Sequence, residues 1–449
     1  MLERINSFIW GGPTLLLILG VGLYLTFRTG AIQFRWLPRS IKLFVSRCRH
    51  SRTDSGVSSG QALWTALAAT VGTGNLAGVA GAIAIGGPGA VFWMWISALM
   101  GMVLKFAEAT LSVHFAARNK NAERVAGPMY MIRAGLPGKL HWLAPIYAFF
   151  GVFAAFGVGN ATQINTLTQS INDLLPMFDV LPSATINLAL GCIFALPIAA
   201  VLLGGAAKIG SAAERLVPVA SVLYIVLSVG VIILRADKLP DAMCAILHGA
   251  FRPQAVTGGM VGSVFQAMRI GVSRGVFTNE AGMGTAAIAH GAAEVAHPVQ
   301  QGLMGIVEVF IDTILICTLT ALVILCGGAE IPYGTQCGIA LTTDSFSLVY
   351  GGWVKLLIAI CICFFAFATI LGWGLYGIRC AQFLLGENVW RPFALLQIAT
   401  AIVSACLKIE TVWQFAEIVN GLMAIPNLIT LLCLSPALNR AIADYKQKS

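Results

Sequence analysis

Apolar residues in this chain come in long blocks and show no alternating strand period. Eleven blocks approach or exceed the roughly 20 apolar residues that cross a bilayer core: 9–27, 61–83, 91–115, 145–169, 185–204, 214–234, 258–290, 299–325, 353–384, 391–408 and 412–434. Backbone surrounded by lipid must satisfy its own hydrogen bonds, so these blocks read as helices and the chain as an all-α polytopic membrane protein. The connecting segments are too short for a soluble domain, which makes residues 1–449 one transmembrane domain.

Two blocks are interrupted near their middle. The second reads Ala68-Ala69-Thr70-Val71-Gly72-Thr73-Gly74-Asn75-Leu76-Ala77-Gly78, and the seventh carries glycines and polar residues from Gly271 to Gly284. Lipid-facing helices would place Leu and Val there. With 9–27 set aside as an extra helix, the interruptions fall at positions one and six of ten. That placement predicts an inverted five-plus-five repeat, 61–234 followed by 258–434, with broken helices meeting at the midplane.

Composition supports the membrane reading. The chain is 58% hydrophobic and 10% charged, too few charges for the surface of a soluble protein of 449 residues. The net charge of +9 invites a nucleic-acid reading, but Lys and Arg lie in loops between apolar runs and form no amphipathic basic helix. They concentrate between the first two blocks (Arg28 to Arg52) and between the third and fourth (Arg118 to Lys139), whereas 84–90, 170–184 and 326–352 have none. The positive-inside rule then predicts an outside N-terminus and a cytoplasmic C-terminus. The eleven cysteines form no CxxC pair and no HExxH is present, so metal and redox readings fail. Cys326 and Cys337 flank one loop and are the pair that could bridge.

The interruptions are the candidate site. A broken helix offers unpaired N–H groups from one half and unpaired carbonyls from the other. N–H groups of Thr73, Gly74 and Asn75 can hold a carboxylate, and carbonyls of Ala68 and Val71 can ligate a small hard cation. Gly74 and Gly78 also form a small-xxx-small pair, so tight helix packing competes as an explanation. Packing accounts poorly for Thr73 and Asn75. In the seventh block, Thr278 and Asn279 offer oxygens, while Arg269, Arg274 and Glu280 are charges in an apolar run, which usually face an interior cavity. Arg274 and Glu280 can pair with each other or with broken backbone.

Other blocks contribute isolated polar groups. Gln163 can reach a bound molecule, and Asn160 can equally join helices. Thr369 can complete a cation site and Trp373 can roof a small ligand, although a single Thr or Trp in a membrane helix more often serves packing. Lys105 and Glu108, at i,i+3, read as a local pair. Glu308 and Asp312 share a helix face, so one is expected to be protonated or paired elsewhere. Glu417 and Asn420 lie in the last block.

The strings GQALWTALAATVGTGNLAGVAG (60–81), GGPGAVFWMWISALMGMVLKFAE (86–108), GVSRGVFTNEAGMGTAAIAHGAAEVAHPVQQ (271–301) and NGLMAIPNLITLLCLS (420–435) closely resemble the alanine/glycine:cation symporter family, from about Thr26 to Ser435. That family is similar in fold to the leucine-transporter group of sodium-coupled carriers. The resemblance implies a single transporter domain, eleven helices, and uptake of alanine or glycine driven by sodium, with no other cofactor, in a bacterial-type plasma (inner) membrane. It also implies that Thr73, Gly74 and the break around Phe277 to Asn279 hold the substrate, with Gln163 and Trp373 contributing. Sodium would take carbonyls of Ala68 and Val71, a carbonyl near Phe365, and the Thr369 hydroxyl.

Two departures stand out. Ala368-Thr369 replaces the family's usual Ser-Thr, and Ile378 follows Tyr376-Gly377 where the family usually has Glu. Sodium takes oxygen ligands, so losing one points either to weaker sodium coupling or to protonation at Glu308 or Asp312 as the alternative. A passive facilitator would need rings of polar pore residues. An intramembrane enzyme would need a nucleophile or metal constellation. The chain shows neither, so the expected partners are a small neutral amino acid, sodium and lipid, with no nucleic acid.

Overall fold

The computed structural model describes residues 2–49, 57–120, 122–253, 263–335, 337–407 and 409–448. Each of the eleven apolar blocks is helical where described, apart from its breaks and end turns; the start of the seventh, 258–262, lies outside these residues. Among the described residues, eight helices are long and apolar enough to cross a membrane, or nine when the bent pair Ser59–Thr70 and Gly74–Gly86 counts as one. Two of the expected spans are shorter. Val264–Asn279 has 16 residues before its break and Trp390–Ser404 has 15.

The first break lies where the sequence puts it. Ser58 opens the helix with a reciprocal cap to Gln61. Val71 then leaves helical geometry at φ −77° and ψ 92°, and the chain resumes through a widened turn at Gly74–Gly78, bent by 46°. The second break is narrower and later than expected. The helix continues unbroken through Gly271 and Gly275 to Asn279, and the chain turns only at Glu280, Gly282 and Gly284, all with positive φ, before Thr285–Gly291. Packing explains the two earlier glycines. A Cβ on Gly271 would strike the Ala90 carbonyl, and one on Gly275 would strike Ser97. They let Val264–Asn279 lie close against Gly89–His114.

Polar side chains tie these helices together. Lys105 on Gly89–His114 reaches Glu308 on Pro298–Val309 at 2.8 Å, both fully buried, and makes no local pair with Glu108. The competing partner wins because Glu308 lies opposite Lys105 across one of the closest helix contacts in the molecule. There a Cβ on Gly305 would meet the Lys105 backbone at 2.9 Å. Glu308 also takes a 2.9 Å contact from His290 Nε2. Gln301 Nε2 donates to His290 Nδ1 at 2.7 Å, which fixes the tautomer with its proton on Nε2, toward Glu308. Ser59 Oγ donates to Gln301 Oε1 at 2.7 Å. One chain of contacts thereby joins the Lys105 helix, the second half of the seventh span, the first half of the eighth and the start of the first broken helix. Cys326 and Cys337 are both free thiols.

Removing one partner of a buried pair strands the other charge, at a penalty of about 3–5 kcal/mol. Lys105→Met is therefore expected to lower the thermal unfolding midpoint in detergent far more than Lys355→Met, whose partner Asp344 is half-exposed. Equal midpoints would contradict the structural weight assigned to the Lys105–Glu308 pair.

Candidate functional site

The site grows from the first break. Gly72, Thr73 and Gly74 leave a backbone with little side-chain cover, and Gln163 of the Thr162–Asn172 helix leans onto it. Its Oε1 accepts from the Thr73 N–H at 3.2 Å and from Thr73 Oγ1 at 2.9 Å, both buried. Gln163 Nε2 is held by the Val158 carbonyl at 3.1 Å, exposed by the widened turn Gly157–Ala161. A Cβ on Gly74 would meet Thr278 Cγ2 at 3.4 Å and the Phe277 ring at 3.5 Å. The end of Val264–Asn279 therefore forms the wall facing Gly74.

The expected cation ligands also gather. Thr369 Oγ1, on Val354–Leu385, donates to the Ala68 carbonyl at 2.9 Å. A Cβ on Gly72 would collide with the same hydroxyl. Val71 adjoins Gly72 and is fully buried, as is Phe365 one helical turn before Thr369, where its ring meets Tyr224. Ala68 and Thr369 are thus in contact, with Val71 and Phe365 on the same two segments. These oxygen groups suit a small hard cation.

Three residues do something other than expected. Asn75 turns away from the break. Its Nδ2 donates to Asp312 Oδ1 at 2.6 Å, and its Oδ1 accepts from the Gly72 N–H at 2.8 Å. Asn279 donates to Thr313 Oγ1 at 3.1 Å and accepts from the Ala281 N–H, capping its own helix. Trp373 lies against Gly159, where any Cβ would clash, and its indole N–H donates to Glu280 Oε1 at 2.6 Å. Glu280 Oε2 accepts from Thr285 at 2.6 Å, so this carboxylate spans the second break. Asn160 joins helices by donating to Gln397 Oε1 at 2.6 Å. Glu308 takes Lys105 and His290, which leaves Asp312 without a charged partner.

Arg274 pairs with Glu417 at 2.9 Å and makes no bond to Glu280. The helix between Arg274 and Glu280 is intact, so the two side chains leave it about 1.7 turns apart and on different sides. The Arg274 guanidinium lies 4.8 Å from the Trp413 ring centroid, and Trp413 stacks on Phe277 at 4.8 Å. Phe277 is the residue that faces Gly74. Glu417 is further held by Asn6 Nδ2 at 2.5 Å, and its carbonyl by Trp10 Nε1 at 3.0 Å. Sequence reasoning missed Trp413, Asn6 and Trp10, because nothing in the local pattern brings residue 6 to residue 417. On the other side of the site a cavity of about 590 Å³ opens among Gln61, Thr65, Gly210, Ala289 and Arg124. It ends three residues short of Ala68.

The molecule is similar to known carriers. The crystal structure of MhsT in complex with L-phenylalanine superposes with a TM-score of 0.61 at 13% identity, over 85% of this chain and 90% of MhsT, a likeness of fold. The sodium/alanine symporter AgcS of Methanococcus maripaludis is 41% identical over 97% of this chain and 94% of its own length. An uncharacterized transporter of Haemophilus influenzae is 42% identical over 100% and 96%. The probable sodium/glutamine symporter GlnT of Bacillus subtilis is 36% identical over 99% and 90%. The sequence model of the sodium:alanine symporter family matches residues 1–449, and the chain belongs to that family.

Proposed function

We propose that this protein imports a small neutral amino acid, alanine or glycine, coupled to sodium by alternating access. One observation carries the reading: the first break, Val71–Gly74, has Gln163 on one side and Thr369 on the other, within hydrogen-bond reach of Thr73 and Ala68. A carboxylate and a cation then bind to adjacent stretches of one unwound segment, so each stabilises the other. Thr73, Gly74, Gln163, Phe277 and Thr278 hold the amino acid, with Trp373 packed on Gly159 and with Asn75 and Asn279 bracing the breaks. Ala68, Val71, Phe365 and Thr369 hold sodium. Thr278 and the Phe277 ring close the face of Gly74, 3.4 and 3.5 Å from where a Cβ would stand, and so bound the substrate on that side.

The reading includes eleven spans, the extra helix 9–27 preceding repeats 61–234 and 258–434, with the N-terminus outside and the C-terminus in the cytoplasm of a bacterial-type inner membrane. In this orientation Arg274–Glu417 and the Trp413–Phe277 stack close the outer entrance, and the cavity at Gln61 and Thr65 opens inward. The conformer is closed on the outer side, and the inward cavity reaches the helical turn next to the cation ligands.

Labelled alanine uptake into proteoliposomes tests the reading: a sodium gradient should drive accumulation, and no stimulation by sodium would sink it. Thr369→Val removes one contact to a charged species, worth ~1.5 kcal/mol, and should raise the sodium concentration for half-maximal uptake about tenfold. Gly74→Leu is expected to insert normally and lose alanine binding, read as substrate-dependent thermal stabilisation. Retained stabilisation would place the site elsewhere. Glu417→Gln should loosen the outer closure, making a Phe277→Cys reporter react faster with an impermeant maleimide added outside. An unchanged rate would show that the ion pair does not govern access.

A further inference from the structure

Four carboxylates, Glu108, Glu280, Glu308 and Asp312, are fully or almost fully buried among the helices around the second break. The basic groups among them are Lys105 and His290, and both are bonded to Glu308. Glu108, Glu280 and Asp312 therefore have no ion-pair partner among the described residues. A bare carboxylate in such an interior is prohibitively unfavourable, so each must be neutralised or fully solvated by donors. Glu280 and Asp312 accept hydrogen bonds on both oxygens, from Trp373 and Thr285 and from Asn75 and Thr313. Glu108 differs.

Both donors to Glu108 meet the same oxygen. Oε1 accepts from the Gly284 N–H at 3.1 Å and from Asn427 Nδ2 at 2.7 Å. Oε2 is buried with no partner. The amide oxygen of that same Asn427, Oδ1, is likewise buried and unpartnered. Two orphan acceptors thus sit on two side chains already joined by one hydrogen bond. A single proton on Oε2 resolves the mismatch, because a carboxylic acid and a primary amide pair through two hydrogen bonds, acid C=O to amide N–H and acid O–H to amide C=O. Asn427 Nδ2 also donates to the Gly282 carbonyl at 2.9 Å. The pair therefore grips the second break at Gly282 and Gly284, where both residues have positive φ.

We propose that Glu108 is a proton-binding site of the transport cycle. Water on one side of the membrane gives a proton to the Glu108 carboxylate, forming the acid paired with Asn427, and the acid returns it to water on the other side. Protonation joins Glu108 to Asn427 twice and holds the turn between Asn279 and Thr285 in the conformer described. Deprotonation sets two acceptors against each other and loosens that turn. The titratable groups facing Glu108 are Lys105 on its own helix, Glu308 with its partner His290, and the tyrosines Tyr147 and Tyr376, while Glu280 shares Lys105 and both tyrosines as neighbours. Both tyrosine hydroxyls are buried without partners, and both lie in electrostatic range of Glu108 and Glu280. Glu308 is excluded as the carrier because it is ion-paired with Lys105 and already takes a hydrogen bond from His290.

The proposal rests on the transport reading, and one preparation tests the two separately. Purified protein in proteoliposomes is assayed for alanine counterflow, which reports transport alone, and for lumen pH with an entrapped dye during alanine uptake. Wild type should acidify the lumen as alanine enters, and its uptake should fall about tenfold per pH unit above a midpoint. Glu108→Gln, which keeps both hydrogen bonds to Asn427 without a titrating group, should retain detectable counterflow and lose the dye signal and the pH dependence. Asn427→Ser, which removes the amide that pairs with the acid, should shift the midpoint, and it decides the matter if Glu108→Gln does not fold. A wild type without a dye signal, a Glu108→Gln with the wild-type signal, or an unmoved midpoint in Asn427→Ser would each overturn the proposal. Absence of counterflow in the wild type would instead overturn the transport reading.

Discussion

Everything distinctive here follows from interrupting a helix where no water is at hand to satisfy the freed backbone. Each break exposes N–H and carbonyl groups that a bilayer cannot solvate. The chain answers with side chains, most of them borrowed from distant helices. Gln163 meets the Thr73 N–H, Asn75 meets the Gly72 N–H, and Thr369 meets the Ala68 carbonyl. At the second break, Glu108 meets the Gly284 N–H and Asn427 meets the Gly282 carbonyl. These bonds hold open a segment that would otherwise close into helix. They are also weak enough, one by one, for a ligand to replace.

The two breaks are braced differently, and this divides their labour. At the first, the partners are neutral amides and hydroxyls that can exchange one hydrogen bond for another as an amino acid or a cation arrives. At the second, carboxylates do the bracing: Glu280 between Trp373 and Thr285, and Glu108 between Gly284 and Asn427. Two states of protonation then mean two strengths of grip. The Lys105–Glu308–His290 cluster stays paired and fixes the frame around them.

Much of this was legible along the chain. Eleven apolar blocks, the first break and the company of Gln163 and Thr369 with it follow from the expense of polar groups in lipid and from a family resemblance. Ion pairing was not legible. Lys105 three residues before Glu108 and Arg274 six before Glu280 invite local pairs, yet both bases find acids on other helices, because a rigid helix aims side chains outward and its neighbours decide what they meet. The glycines of 271–284 misled for a related reason. Gly271 and Gly275 serve close packing against Ala90 and Ser97, and only packing partners distinguish such glycines from those at a turn.

The contact between Asn6 and Glu417 spans 411 residues of sequence, and Trp10 reinforces it across 407. During synthesis the first helix enters the membrane long before the last has left the ribosome, and chains made in this order fold piece by piece. Asn6 and Trp10 must therefore wait beside lipid until the final helix arrives to take them. Their bonds form only in a finished molecule. Since Glu417 also holds Arg274, the seal over the site is completed by the same late event, and an unfinished chain lacks it. Assembly and closure are thus tied to one carboxylate, so the transporter acquires this barrier at the moment it becomes whole.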